Sequence, residues 1–192
     1  LALRPHDPGT IVNLAGAIAQ QNRIEEALPL LDIALGLDAE SAEPVDAFVS
    51  LAFWLLWSGN PERAVALCRD KLSVAPHPTG HALLGFALLT LGDYVKGWAQ
   101  YEFRWFQEPL VAKRVFPDAP RWSGQDLAGK TLLLRCEQGA GDTIQFARFA
   151  SAFQRRGATV VLQTQPEVGC LGPYFAGVDR VVELGRTVPG CD

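Results

Sequence analysis

The stretch SLAFWLLWSGNPERAVALCRDKLSVAP, residues 50–76, decides the fold. An apolar run with helical periodicity breaks at Gly59-Asn60, and a second, more charged run follows and ends at Pro76. Two other segments share this plan: NLAGAIAQQNRIEEALPLLDIALGLDA at 13–39 and LLGFALLTLGDYVKGWAQYEFRWFQEP at 83–109. Each opens with an apolar helix of about a dozen residues and turns at Asn22-Arg23, Gly59-Asn60 or Gly92-Asp93. A small residue, Ala27, Ala64 or Gly97, stands five positions after the turn begins. The units close near Ala39, Pro76 and Pro109, so the spacings are 37 and 33 residues. The longer spacing predicts an insert at Ala42 to Pro44.

Turn, small residue and terminator recurring in phase resemble the tetratricopeptide repeat, a helix–turn–helix unit of about 34 residues. The resemblance implies close crossing of the paired helices at the small residues, with Ile18, Leu55 or Leu88 filling the space between them. Residues 1–5 then read as the tail of a preceding unit. Such arrays offer a groove lined by the first helix of each unit. In register this chain places Val49, Phe53 and Trp57 there, then Ala82, Phe86 and Leu89, with no cationic clamp for a carboxylate. These residues read as an apolar peptide groove or, alternatively, as core between neighbouring elements. Trp98, Tyr101 and Trp105 fall at i, i+3 and i+7, one helical face that needs a cover. No fourth unit follows, so this face is expected to dock the C-terminal module.

The bulk numbers fit two modules. Residues 1–111 hold 7 Lys and Arg against 13 Asp and Glu, a net of −6, whereas residues 112–192 hold 10 against 8, a net of +2. Neither is basic enough for nucleic acid to be the main ligand. Cys68, Cys136, Cys170 and Cys191 form no paired motif with each other or with His, which argues against zinc or a disulfide framework and for buried thiols in a reducing cytoplasm. No apolar run reaches the roughly 18 residues of a membrane span, and no signal peptide is visible. The sequence contains no Met. Leu1 therefore reads as an internal position, and the chain as a piece of something longer.

After residue 111 the helical period stops. Pro117, Pro120 and Gly124 punctuate an expected linker over 112–130, with Trp122 as its anchor. Short apolar runs at 131–135, 159–164 and 179–184 read as buried strands. Between the first two, residues 143–156 read as one amphipathic helix with Ile144, Ala147, Ala150 and Phe153 inside, closed by Gly157. Residues 166–175 read as a short helix or turn. This order predicts a parallel sheet over 131–192, part of a Rossmann-like domain.

Gly139-Ala140-Gly141-Asp142 lies where a dinucleotide loop would lie, but the fingerprint fails. Ile144 holds the third glycine position, and Gln163 and Gln165 stand where a ribose-binding acid would close the second strand. No Gly-Lys-Ser/Thr is present either. Asp142 has two compatible readings. With Gln145 it fits a capping box. As a carboxylate at the C-terminal edge of a parallel sheet, it could take a proton from an acceptor hydroxyl.

The runs YEFRW (101–105), PRWSGQDLAGKTLLLRCEQGAGDTIQFARF (120–149) and GVDRVVELG (177–185) resemble bacterial proteins that join tetratricopeptide repeats to a glycosyltransferase related to the heptosyltransferases. The resemblance implies a two-lobed GT-B fold, whose N-terminal lobe opens with strand, glycine-aspartate loop and helix and faces the acceptor. It implies Asp142 as catalytic base, Gly139 and Gly141 as room for the acceptor, and Gln138 and Gln145 as polar contacts. The expected fold is thus an α-helical tetratricopeptide array over 1–111 followed by a partial α/β Rossmann-like module. The expected function is a fragment of a glycosyltransferase, inactive alone. No cofactor or metal is expected. The expected partners are a protein or peptide in the groove, a glycosyl acceptor, and a nucleotide-sugar donor held only by the missing lobe. The alternative is a non-catalytic interaction scaffold with a degenerate Rossmann-like cap.

Overall fold

The computed structural model describes residues 6–38, 46–107, 120–137 and 139–186. The chain divides into two compact units, Leu1–Val111 and Ala112–Asp192. The first is helical. It contains α1 (Pro8–Gln20), α2 (Ile24–Asp38), α3 (Ala47–Trp57), α4 (Pro61–Val74), α5 (Pro78–Thr90) and α6 (Tyr94–Tyr101). Helix starts follow local chemistry. Pro opens α1, α4 and α5, where its missing N–H costs nothing. Asp7 accepts from the Thr10 amide at 2.7 Å, and Asp93 from the Lys96 amide at 3.3 Å.

The three turns between paired helices share one geometry. Asn22, Gly59 and Gly92 adopt φ of 63°, 77° and 84°. After each, the next amide reaches back five residues: Arg23 to Ile18 at 3.4 Å, Asn60 to Leu55 at 2.8 Å, Asp93 to Leu88 at 2.9 Å. This is the Schellman closure, and its left-handed residue explains the glycines. Ala27 and Ala64 are wholly buried, and a Cβ at Gly97 would meet the Leu89 side chain and backbone. A second in-phase set, Ala15, Ala52 and Gly85, is buried on the first helices. A Cβ at Gly85 would run into the backbone of Gln100 and Tyr101. The expected insert at Ala42 to Pro44, and the terminators Ala39 and Pro109, lie outside the described residues.

Within this unit α1 packs on α3, and α3 on α5, while α2 sits between α1 and α3 and α4 between α3 and α5. The core runs along these seams through Leu28, Leu31, Leu51, Leu55, Val65, Cys68, Leu84 and Leu88. The aromatic face expected on α6 is not continuous. The α-helix ends at Tyr101, and residues Glu102–Phe106 wind as a 3₁₀ helix. Three residues per turn replaces 3.6, so Trp105 leaves the line of Trp98 and Tyr101. Arg104 becomes the buried residue of this segment, its guanidinium 4.6 Å from the Tyr101 ring centroid and 4.8 Å from that of Trp105.

The second unit holds three parallel strands in the order β1-β2-β3: β1 (Thr131–Arg135), β2 (Thr159–Thr164) and β3 (Arg180–Glu183). Leu133 pairs with Val161, and Leu162 with Val181. The single helix expected at 143–156 is two short ones, α7 (Ala140–Ala147) and α8 (Ala150–Gln154). At the break the Phe149 amide bonds to the Phe146 carbonyl at 3.0 Å, a tightened turn. Gly157 (φ 87°) closes α8 with the bonds of the helical unit's turns. α9 (Pro166–Gly169) and a 3₁₀ turn at Gly172–Tyr174 lead into β3. Trp122 packs edge-on to Phe153 at 5.3 Å, and Leu127 is buried with Ala150, Ala158 and Val160.

Candidate functional site

The loop after β1 leads directly into α7. Gly139 is extended (φ −78°, ψ 151°) and is the N-cap. Asp142 is therefore the third residue of the helix, and the capping box with Gln145 does not form. The physical reason is the Gly139 carbonyl, which already accepts from the Thr143 amide at 3.2 Å. That bond starts the helix before Asp142 can cap it. The carboxylate instead folds back over the loop: a Cβ at Gly139 would lie 3.4 Å from its Oδ2. An acid in the first turn still meets the positive end of the helix dipole.

Asp142 and Gln145 are exposed, as are Gly139 and Gly141. No atom would crowd a Cβ at Gly141 within 4 Å, so the space beside the carboxylate is open. Gln138 lies outside the described residues. Ile144, expected inside, is 46% exposed, and Thr143 at 6% takes its place. The inward positions of α7 and α8 are thus Thr143, Ala147 and Ala150. Phe146 and Phe149 are exposed and stack at 6.2 Å, with the Arg148 guanidinium over Phe149 at 5.1 Å. Arg156 lies over Trp122 at 5.2 Å. The end of β2 carries a hydroxyl–amide cluster that periodicity alone does not reveal. Thr143 Oγ1 donates to Gln165 Oε1 at 2.9 Å, and Thr164 Oγ1 to the same oxygen at 3.2 Å.

The residues expected to line a groove sit on the first helices of the helical unit. Phe53, Trp57 and Phe86 are exposed, and Val49 and Leu89 are half-buried. Ala82 is buried. Phe53 and Trp57 stack at 5.4 Å with planes 19° apart. Helices α1, α3 and α5 contain no Asp, Glu, Lys or Arg, and His81 is their one ionisable side chain. Among the described residues the charges of this unit lie on α2, α4, α6 and the 3₁₀ helix after it, and in the turns and caps.

Of the thiols, Cys68 and Cys136 are buried, whereas Cys170 is exposed against expectation; Cys191 lies outside the described residues. Burial pushes the Cys68 thiol up to about 11. Among the described residues no cluster of His, Cys, Asp and Glu could hold a metal ion, and no helix is long and apolar enough to cross a membrane.

No family model matches the chain. It is similar to Protein FlbA of Caulobacter vibrioides, at 32% identity over 75% of this chain and 30% of FlbA. The chain thus spans about a third of the length of this curated relative.

Proposed function

We propose that this chain is the repeat-bearing, acceptor-side part of a glycosyltransferase, and that Asp142 is its base. The helix pairs are read as tetratricopeptide repeats and the sheet unit as the beginning of a GT-B N-terminal lobe. The observation that carries the reading is the exposed Asp142 carboxylate on the first turn of α7, beside the open Gly141 position, at the C-terminal edge of a parallel sheet. Ligands of open parallel sheets bind at that edge.

The step is simple in its balance. Asp142 takes the proton of an acceptor hydroxyl. The oxygen forms a bond to the anomeric carbon of a nucleotide-sugar, the bond from that carbon to phosphate breaks, and the nucleoside diphosphate leaves with the electron pair. A diphosphate is held by free helix N-termini or by cations. The carboxylate of Asp142 opposes it at α7, and Arg148 and Arg156 lie over aromatic rings. With the resemblance to two-lobed enzymes, this favours donor binding by a further lobe of a longer protein. The charge-free first helices, with Phe53, Trp57 and Phe86 exposed, would recruit the acceptor or another protein.

The test is Asp142→Asn in the full-length protein. Transfer falls by ~10²–10⁴, the usual worth of a general base. Melting barely moves, because the side chain is exposed and its dipole interaction is small. Wild-type transfer in this variant would leave Asp142 as a helix-end acid. The second reading, a scaffold acting through its aromatic first helices alone, would then stand in its place.

A further inference from the structure

We propose that Thr143 and Gln165 are positioning residues that hold Asp142 at its working angle, an inference that rests on the proposed role of Asp142 as base. Within α7 only Thr143 and Ala147 are buried. A seam of one methyl and one small polar side chain gives an eight-residue helix little resistance to rolling about its axis. Apolar contact is non-directional, so it fixes depth better than rotation. The directional contact is the hydroxyl of Thr143, which donates to Gln165 Oε1 at 2.9 Å. Its other acceptor, the Gly139 carbonyl at 3.3 Å, belongs to the same helix start and cannot restrain the helix against the sheet.

Gln165 is a fixed partner. It directly follows β2, serves as the N-cap of α9, and its Oε1 also accepts from Thr164, whose side chain is fully buried. One amide oxygen thus faces two hydroxyls, one from the end of the sheet and one from α7. Thr143 is the next residue after Asp142, about 100° around the helix. Rolling α7 to relieve a lost Thr143 bond would swing the carboxylate by the same angle. A shift of about 1 Å in a reacting group can cost ~10²-fold in rate. Buried polar networks of this kind specify one arrangement when every member is satisfied.

The experiment compares Thr143→Val, Thr143→Ser, Gln165→Ala and Asp142→Asn in the full-length protein. Release of nucleoside diphosphate is measured from UDP-, GDP-, ADP- and CDP-linked hexoses with water as acceptor, using the donor that the wild type turns over. Thr143→Val and Gln165→Ala should lower kcat at least tenfold with donor KM within twofold, and Thr143→Ser should restore kcat to within threefold of wild type. Amide hydrogen exchange in the first turn of α7 should quicken in Thr143→Val and not in Thr143→Ser, with β2 unchanged. A Thr143→Val enzyme with wild-type kcat, beside an inactive Asp142→Asn, would overturn the positioning role and leave the base. Full activity in Asp142→Asn would overturn the base and this inference with it. Equal losses in Thr143→Val and Thr143→Ser, with faster exchange in β2, would show the cluster to be a general structural support and sink the proposal.

Discussion

Three turns of the helical unit, at Asn22, Gly59 and Gly92, close with the same long-range amide bond, each to a residue of the preceding helix that occupies the same place. Among its described residues the sheet unit makes the comparable turn at Gly157, and other junctions use devices of different kinds. Trp122 covers Phe153, Asp179 ties to the Val160 amide at 2.7 Å, and Thr143 ties α7 to the end of β2. Repetition lets each copy of a device explain the others: a glycine in one turn and an asparagine in another are the same demand for a left-handed residue. A device used once carries no such cross-check. The helical unit should therefore be governed by generic packing rules, and the sheet unit by individual residues.

The largest break in that comparison is within α3 itself. Leu55 is 1% exposed and Trp57 is 64% exposed, two positions apart on one uncharged helix. Leu55→Ala should cost ~2–5 kcal/mol, as cavity-forming core changes do. Trp57→Ala should cost within about 1 kcal/mol, little more than an ordinary surface change, since its stack on Phe53 is mostly open to solvent. Urea unfolding of the two variants measures both. Similar losses would mean that Trp57 is core and that the apolar face is not available to a partner.

Gly85 sharpens the same point. An added methyl at this crossing would run into the Tyr101 backbone, which has no rotamer to yield. Gly85→Ala should cost ~1–3 kcal/mol, the range of overpacked cores, in spite of alanine's better helix propensity. Gly16 on α1 has open space around it, and Gly16→Ala should stabilise the unit instead. A stabilised Gly85→Ala protein, read by thermal melting, would contradict the close approach of α5 and α6.

These cases mark how far the sequence could be read. The helix pairs were legible because turn, small residue and apolar period all repeat. The in-phase set Ala15, Ala52 and Gly85 was missed, although the same phasing that exposed Ala27, Ala64 and Gly97 contains it. The parallel strands were legible from three short apolar runs separated by turn residues. The start of α7 was not, because Gly139-Ala140-Gly141 is a weak helix sequence and Asp142 is a good cap by type. The carbonyl of Gly139 decides the matter, and no residue identity encodes where a carbonyl points. Thr143 stayed hidden behind Ile144 because the two stand four and three residues before the buried Ala147, so both can share its face, and the apolar one was the expected choice.

Cys68 tests the helical core by pH. Its thiol is wholly buried beside the α4 seam, and desolvation lifts it from 9.0 to about 11. The folded state therefore keeps a proton that the unfolded state releases. The associated stability is complete below about 9 and is lost as pH rises through about 11. At ~1.4 kcal/mol per unit the loss approaches ~2–3 kcal/mol. Urea midpoints at pH 8 and pH 11 should show it, and Cys68→Ala should flatten the difference by that amount. An unchanged slope in Cys68→Ala would place the thiol in contact with water.

The smallest expected effect belongs to the sheet unit and tests the acceptor space proposed beside Gly141. Gly141 lies inside α7, and a Cβ there would meet nothing within 4 Å. By propensity alone Gly141→Ala should stabilise the protein by ~0.5–1 kcal/mol, since alanine loses less backbone freedom on entering a helix. The same methyl would stand beside Asp142, in the space assigned to the acceptor. Thermal melting should therefore rise slightly while transfer by the full-length protein falls with a raised acceptor KM. A rise in melting with unchanged kinetics would show that the acceptor does not pass Gly141. A fall in melting would show that the first turn of α7 is held by contacts that repetition, in this half of the molecule, gives no second chance to recognise.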